Sequence, residues 1–167
     1  MAAGDTARAL EILHSAVDLV PFYHQIYINL DRTYTALGDS VMADSALNLG
    51  INKIREAADA WPDLILYQQF LGVLFYQNDM ADSALTRYKN AYELKPDNSI
   101  AFRLYRDLFM QTIRIMDEEN LRTPSPELNE ELANIKEDFR DLLDDWNDRH
   151  PEDTDARSFY QRFRNIK

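Results

Sequence analysis

The stretch "FLGVLFYQNDMADSALTRYKNAYELKP", residues 70–96, decides the fold. Leu71 and Phe75 stand one helical turn apart, and Ala84, Tyr88 and Ala91 follow at steps of four and three, so each half carries an apolar stripe at helical spacing. Leu71 and Phe75 form the seam of a first helix, and Gly72 lets a second helix come close. Ala84 and Ala91 keep the two backbones together while Tyr88 fills the space between them. Pro96 ends the second helix, because proline clashes with the preceding turn and biases its neighbour away from helix.

The same arrangement precedes it. The hexamer "MADSAL" occurs at residues 42–47 and again at 80–85, and Pro62 and Pro21 end earlier apolar patterns as Pro96 does. The upstream copy runs Tyr27, Leu30, Tyr34, Gly38, Ala43, Leu47, Ile54, Ala57, Pro62. Its first-helix pattern lies 41 residues before that of the later copy, the hexamer 38 before, and Ala57 with Pro62 34 before. The difference accumulates in steps of three and four, which preserve a helix face, so the earlier second helix is expected to be two turns longer, about 10 Å. Asp31 stands where the later copy has Gly72, which predicts looser packing at that level. A third trace, Gly4, Ala9, Leu13, Ala16 and Pro21, has the intervals of a turn and second helix alone.

The order Leu71, Gly72, Phe75, Ala84, Tyr88, Ala91, Pro96 resembles the tetratricopeptide repeat, with the aromatic of its opening displaced to Tyr67. The resemblance implies an all-α solenoid of antiparallel helix pairs over residues 1–98: a half repeat at 4–22, a degenerate repeat at 23–63 and a repeat at 64–98. Because the chain opens in mid-repeat, it resembles the C-terminal fragment of a longer repeat protein, cut at Met1. The uncovered face of the half repeat is then expected to favour self-association.

In that family the first helices of successive repeats line a concave groove that takes an extended peptide or a partner helix. Carried onto this sequence, the resemblance assigns partner binding to Gln25, Ile28, Arg32 and Thr35, to Leu66, Gln69, Val73 and Tyr76, and to Ile100, Arg103, Asp107 and Met110. The paired Lys and Asn with which some members hold a C-terminal carboxylate are not met, Asn29 being the nearest remnant. Mixed polar, apolar and aromatic contacts are expected instead.

Residues 99–167 depart from the repeat. After Asp97 or Asn98 a helix carries Phe102, Tyr105, Leu108 or Phe109, Thr112 or Ile113, and Met116 on one side, with Arg106 where a repeat has a small residue. "NLRTPSPEL" breaks it, and Ser125 with Pro126 starts the next. There Leu128, Leu132, Ile135, Phe139, Leu142 and Trp146 make a heptad seam, which predicts an extended antiparallel hairpin. His150 and Pro151 end it. Asp153 or Thr154 caps a last helix with Phe159, Phe163 and Ile166 on one side and Arg157, Arg162 and Arg164 on the other, read as the terminal cap of an array.

Charge and composition narrow the function. Of a net charge of −11, all is accounted for by residues 117–155, which hold fifteen acids and four bases. A phosphate backbone is repelled there, and no basic stripe stands elsewhere, so nucleic acid is not an expected partner. The chain has no cysteine, which removes disulfides and thiolate metal sites. No apolar run reaches the roughly 18–20 residues that span a bilayer, and "MAAGDTARAL" is too polar for a signal peptide, so a soluble domain is expected, cytoplasmic or periplasmic.

Two motifs could carry chemistry. "DDWND" gives Asp144, Asp145 and Asp148 the DDxxD spacing that holds magnesium in terpenoid synthases, but it lies on the solvent side of the heptad seam. Glu11 and His14 form an E-x-x-H pair of the di-iron type without the second copy such a site requires. No Gly-rich phosphate loop or G-x-S-x-G is present. The expectation is a protein-binding or scaffolding module without catalysis, cofactor or metal. The alternatives are a structural or self-association domain attached to a larger membrane-bound or enzymatic protein, and a small magnesium-dependent helical enzyme.

Overall fold

The computed structural model of the protein describes residues 3–164. Met1 and Ile166 lie outside the described residues, as do the side chains of Arg162 and Arg164. Among the described residues there are eight α-helices and no strand, and no helix is long and apolar enough to cross a membrane. The chain forms two compact units, residues 1–94 and 95–167.

The first unit contains α1 (Ala3–Leu19), α2 (His24–Ala36), α3 (Ser40–Ala60), α4 (Ile65–Gln77) and α5 (Ala81–Leu94). Helices α1, α3 and α5 stop two residues short of Pro21, Pro62 and Pro96, as the proline rule requires. Two helix pairs, α2 with α3 and α4 with α5, stack through α3 and α4, and α1 lies against α2. Helix α3 has 21 residues where α5 has 14, seven more, which are the two turns expected from the shifting repeat interval.

The turns inside the two pairs are built alike. Gly38 takes φ +77, and the Asp39 N–H bonds back to Tyr34 O at 3.0 Å. Asp79 takes φ +55 at the equivalent place, and the Met80 N–H bonds to Phe75 O at 2.9 Å. Both are left-handed closures that satisfy the last helical carbonyls. Asp39 also caps α3 by accepting from the Met42 N–H.

Close approach within each pair depends on a glycine facing a tyrosine, but from opposite helices. In the second pair a Cβ on Gly72 of α4 would stand 2.3 Å from Tyr88 Cε1 of α5. In the first pair the glycine is Gly50, on α3, and its Cβ would stand 2.5 Å from Tyr27 Cγ of α2. Tyr27 is fully buried and its hydroxyl donates to Pro21 O at 2.6 Å. Asp31, standing where the other pair has Gly72, denies α2 a small residue of its own; α3 supplies one instead, and the looser packing expected at that level is compensated. Asp31 itself is half-buried, and burial, aided by Asp44 and opposed by Arg32, raises its carboxyl above the usual range.

The second unit contains α6 (Ser99–Arg122), α7 (Pro126–Arg149) and α8 (Thr154–Arg164). Asn98 caps α6 and Ser125 caps α7, each through its side-chain oxygen. Helix α6 buries Phe102, Tyr105, Leu108, Phe109 and Ile113 against α7, which buries Leu132, Phe139, Leu142, Leu143 and Trp146. Rings join the seam: Phe102 stacks on Trp146 at 4.0 Å, and Phe139 meets Phe109 at 5.4 Å and Phe163 of α8 at 4.5 Å. Arg106 does not disturb this seam, because its guanidinium lies over the Phe102 and Phe159 rings and pairs with Asp107 at 2.6 Å.

Asp153 fastens α8 to α7. It accepts from the Ala156 N–H at 2.9 Å and from the buried Trp146 indole N–H at 3.0 Å. The Ala156 backbone bond, with help from Trp146, holds its carboxyl below the usual range. A depressed carboxyl stabilises the fold at pH values above its unfolded pKa, and that contribution is lost as pH falls through the folded value. Asp153→Ala is expected to cost about 2 kcal/mol at neutral pH, from the lost cap and an unpaired indole N–H. Denaturant titration followed by tryptophan fluorescence in a Trp61→Phe background, which leaves Trp146 as the reporter, checks this, and the gap between variant and parent should narrow as the solution is acidified below the normal carboxyl range.

Candidate functional site

The first helix of each pair carries the residues assigned to partner binding, and the structure divides them. Helix α2 packs against α1, α3 and α4, so little of its surface remains free and Ile28 is only 3% exposed. Arg32 and Thr35 stay exposed on the same helix and Gln25 is half-buried, donating to Asn29 Oδ1 at 3.2 Å. Asn29, the remnant of a carboxylate clamp, is thereby engaged within its own helix.

Helix α4, "ILYQQFLGVLFYQ", contains no charged side chain. Leu71, Leu74 and Phe75 are buried in the core, yet Leu66 is 43% exposed and Val73 and Tyr76 are half-buried. Gln69, expected in the groove, is buried, and its Nε2 lacks a hydrogen-bond partner. Its neighbour Gln68 accepts from Arg87 of α5 at 3.2 Å. The surface left on α4 is thus uncharged and partly apolar, which is unusual for a helix face in contact with water.

In the second unit Ile100, Arg103, Asp107 and Met110 are all exposed along α6, on the side away from its buried seam. Arg103 donates to Ser99 O of its own helix, and Asp107 is taken by Arg106.

The motifs considered for chemistry are accounted for differently. Asp144 and Asp148 are exposed, and Asp145 pairs with Arg149 at 2.9 Å one turn on. His14 Nε2 lies 2.8 Å from the Tyr34 hydroxyl. Among the described residues no group of three or more His, Asp or Glu side chains stands close enough to hold a metal ion.

One further assembly is not apparent from periodicity. Phe22, Tyr23 and His24 at the start of α2, Trp61 in the next connection, and Tyr67 and Phe70 of α4 form a continuous chain of ring contacts. His24 stacks on Phe70 at 4.1 Å, Phe70 meets Tyr23 at 6.1 Å and Tyr67 at 6.5 Å, and Trp61 meets Tyr67 at 6.0 Å and Phe22 at 6.4 Å. Burial lowers the pKa of His24 below the usual imidazole range. The aromatics that directly follow Pro21 and stand on both sides of Pro62 are the sequence signal that points to it.

No family model matches the chain, and no curated protein matches it. Among solved structures it is similar to the crystal structure of TTC0263, a thermophilic TPR protein in Thermus thermophilus, with 16% identity and a TM-score of 0.39 over 99% of this chain and 93% of that one. By its own helices, the chain is an all-α protein whose first unit is made of stacked helix pairs.

Proposed function

We propose that the protein is a non-catalytic interaction module, and that the outer faces of α2 and α4 take up a peptide or helix of a partner protein. The observation that carries this is α4: a helix with no charge on any face leaves Leu66, Val73 and Tyr76 within reach of solvent. An uncharged face with apolar and aromatic groups at helical spacing suits an amphipathic or extended partner segment. Arg32 and Thr35 add polar contacts at its edge. Ile28 and Gln69 support the wall from behind, since their burial leaves them no direct contact to make. By the same reading, Ile100, Arg103, Asp107 and Met110 offer a mixed surface of their own along α6.

A second reading, self-association, is favoured by the outer side of α1, where Ile12 is 59% and Leu19 80% exposed along a shallow groove shared with Arg8 and Glu11. One experiment separates the two. A photo-crosslinking amino acid is placed at Leu66, at Ile12, or at the exposed Thr86 of α5 as a control, and the protein is irradiated in extract of the cells that produce it. Capture of a distinct partner from position 66, absent from 86 and abolished by Val73→Asp, is the expected result. Crosslinked dimers from position 12 with nothing from position 66 would replace the first reading by the second.

A further inference from the structure

The aromatic assembly at the α1–α2 and α3–α4 connections borders the face just described, Phe70 of α4 standing between Leu66 and Val73 at helical spacing. We infer that it is a docking site for a cationic, arginine-bearing segment of a partner protein. Its rings are not all spent on the core: Tyr23 is 50% exposed, Trp61 52% and the adjoining Leu64 45%. Half-exposed indole and phenol rings held in place by ring contacts behind them present fixed π-faces to solvent.

The sign of the charge around these rings selects the occupant. No Lys or Arg occurs between Arg8 and Arg32, or between Arg55 and Arg87, the two stretches that supply the assembly. Arg87 is engaged with Gln68. Within the same stretches Asp18, Asp59 and Asp63 are exposed. Helix dipoles do not reverse the sign. α1, α3 and α5 bring their C-termini to this end without a basic residue in the last turn, and α2 and α4 bring their N-termini. With one C-terminus in excess, the helix ends add about half a unit of negative charge to that of the carboxylates.

An aromatic surface whose Trp61 is flanked two residues to each side by exposed carboxylates complements a guanidinium, which stacks on an indole or phenol face while its edge bonds to a carboxylate. An anionic membrane is repelled by the same three acids, and so is the matching face of a second copy.

The test uses the intact chain labelled with ¹⁵N and a defined probe, the peptide acetyl-Gly-Arg-Gly-Arg-Gly-amide. The chain has two tryptophans, and their indole N–H signals report separately: Trp61 at the assembly, and Trp146, buried and bonded to Asp153, as the internal reference. The peptide should shift the Trp61 signal saturably and leave that of Trp146 in place. Asp59→Asn combined with Asp63→Asn should weaken the interaction by about tenfold, and Tyr23→Ala by about fivefold. These variants alter exposed side chains, so the spectrum also verifies that the fold persists. The inference is overturned if the Trp61 signal does not move, if the shifts fall only in the acidic stretch 117–155, or if a peptide with leucine in place of arginine binds as well. The last outcome would make the surface an apolar contact without selection for a cation.

Discussion

Replacing Gly50 by alanine is expected to lower the stability of the first unit by about 2 kcal/mol, even though alanine is the better helix former by about 1 kcal/mol. The added carbon would lie 2.5 Å from Tyr27 Cγ and 2.8 Å from its Cβ. The Cβ moves only with the α2 backbone, and the Cγ only by a χ1 rotation that would swing the whole buried ring. Tyr27 is fully buried and tied to Pro21 O, so α2 has no inexpensive way to yield. Valine at the same place should cost about 4 kcal/mol, since its branched carbon adds further overlap in a helix that restricts its rotamers. Denaturant midpoints at constant slope measure both effects. A double-mutant cycle with Tyr27→Ala, which removes Cγ and the ring, isolates the cause: the penalty of Gly50→Ala should shrink by at least about 1 kcal/mol in that background. An unchanged penalty, or a stabilising Gly50→Ala, would remove the close approach as the explanation.

Phe139→Ala should be the most damaging change in the second unit, at about 4 kcal/mol. Phe139 is fully buried and joins all three helices there, meeting Phe109 of α6 and Phe159 and Phe163 of α8. Its truncation removes apolar area and leaves a void lined by rings too large to collapse into it. Near-ultraviolet circular dichroism of Trp146, stacked between Phe102 and His150, should lose intensity as the hairpin loosens. Phe139→Leu should recover roughly half of the loss, because most of the volume is restored. A variant as stable as the parent would show that α8 contributes nothing to holding this seam.

The helices and their lengths follow from local rules, and the sequence determined them. Apolar residues at steps of three and four marked the seams of α4, α5, α6 and α7, prolines marked where α1, α3 and α5 stop, and Asp97 or Asn98, and Ser125, marked starts, of which Asn98 and Ser125 are the caps. The repeat intervals alone predicted that α3 would exceed α5 by two turns. Gly72 opposite Tyr88 was legible for the same reason, because both belong to one continuous pattern. Such features depend on the period of a single helix or on the sterics of one residue.

What only the tertiary structure decided depends on which helices surround a given face. Ile28 and Arg32 share a helix and a spacing, yet the first is buried and the second exposed, because α2 is covered by α1, α3 and α4 together. Gly50 gave no signal as a partner for Tyr27, since their packing spans two helices and reverses the arrangement of the other pair. The aromatic assembly joins residues 22–24 to residues 61–70, which come together only once two connections are brought to one end of the unit. Periodicity tells a residue which side of its own helix it occupies; burial and charge environment are properties of the neighbours that packing supplies.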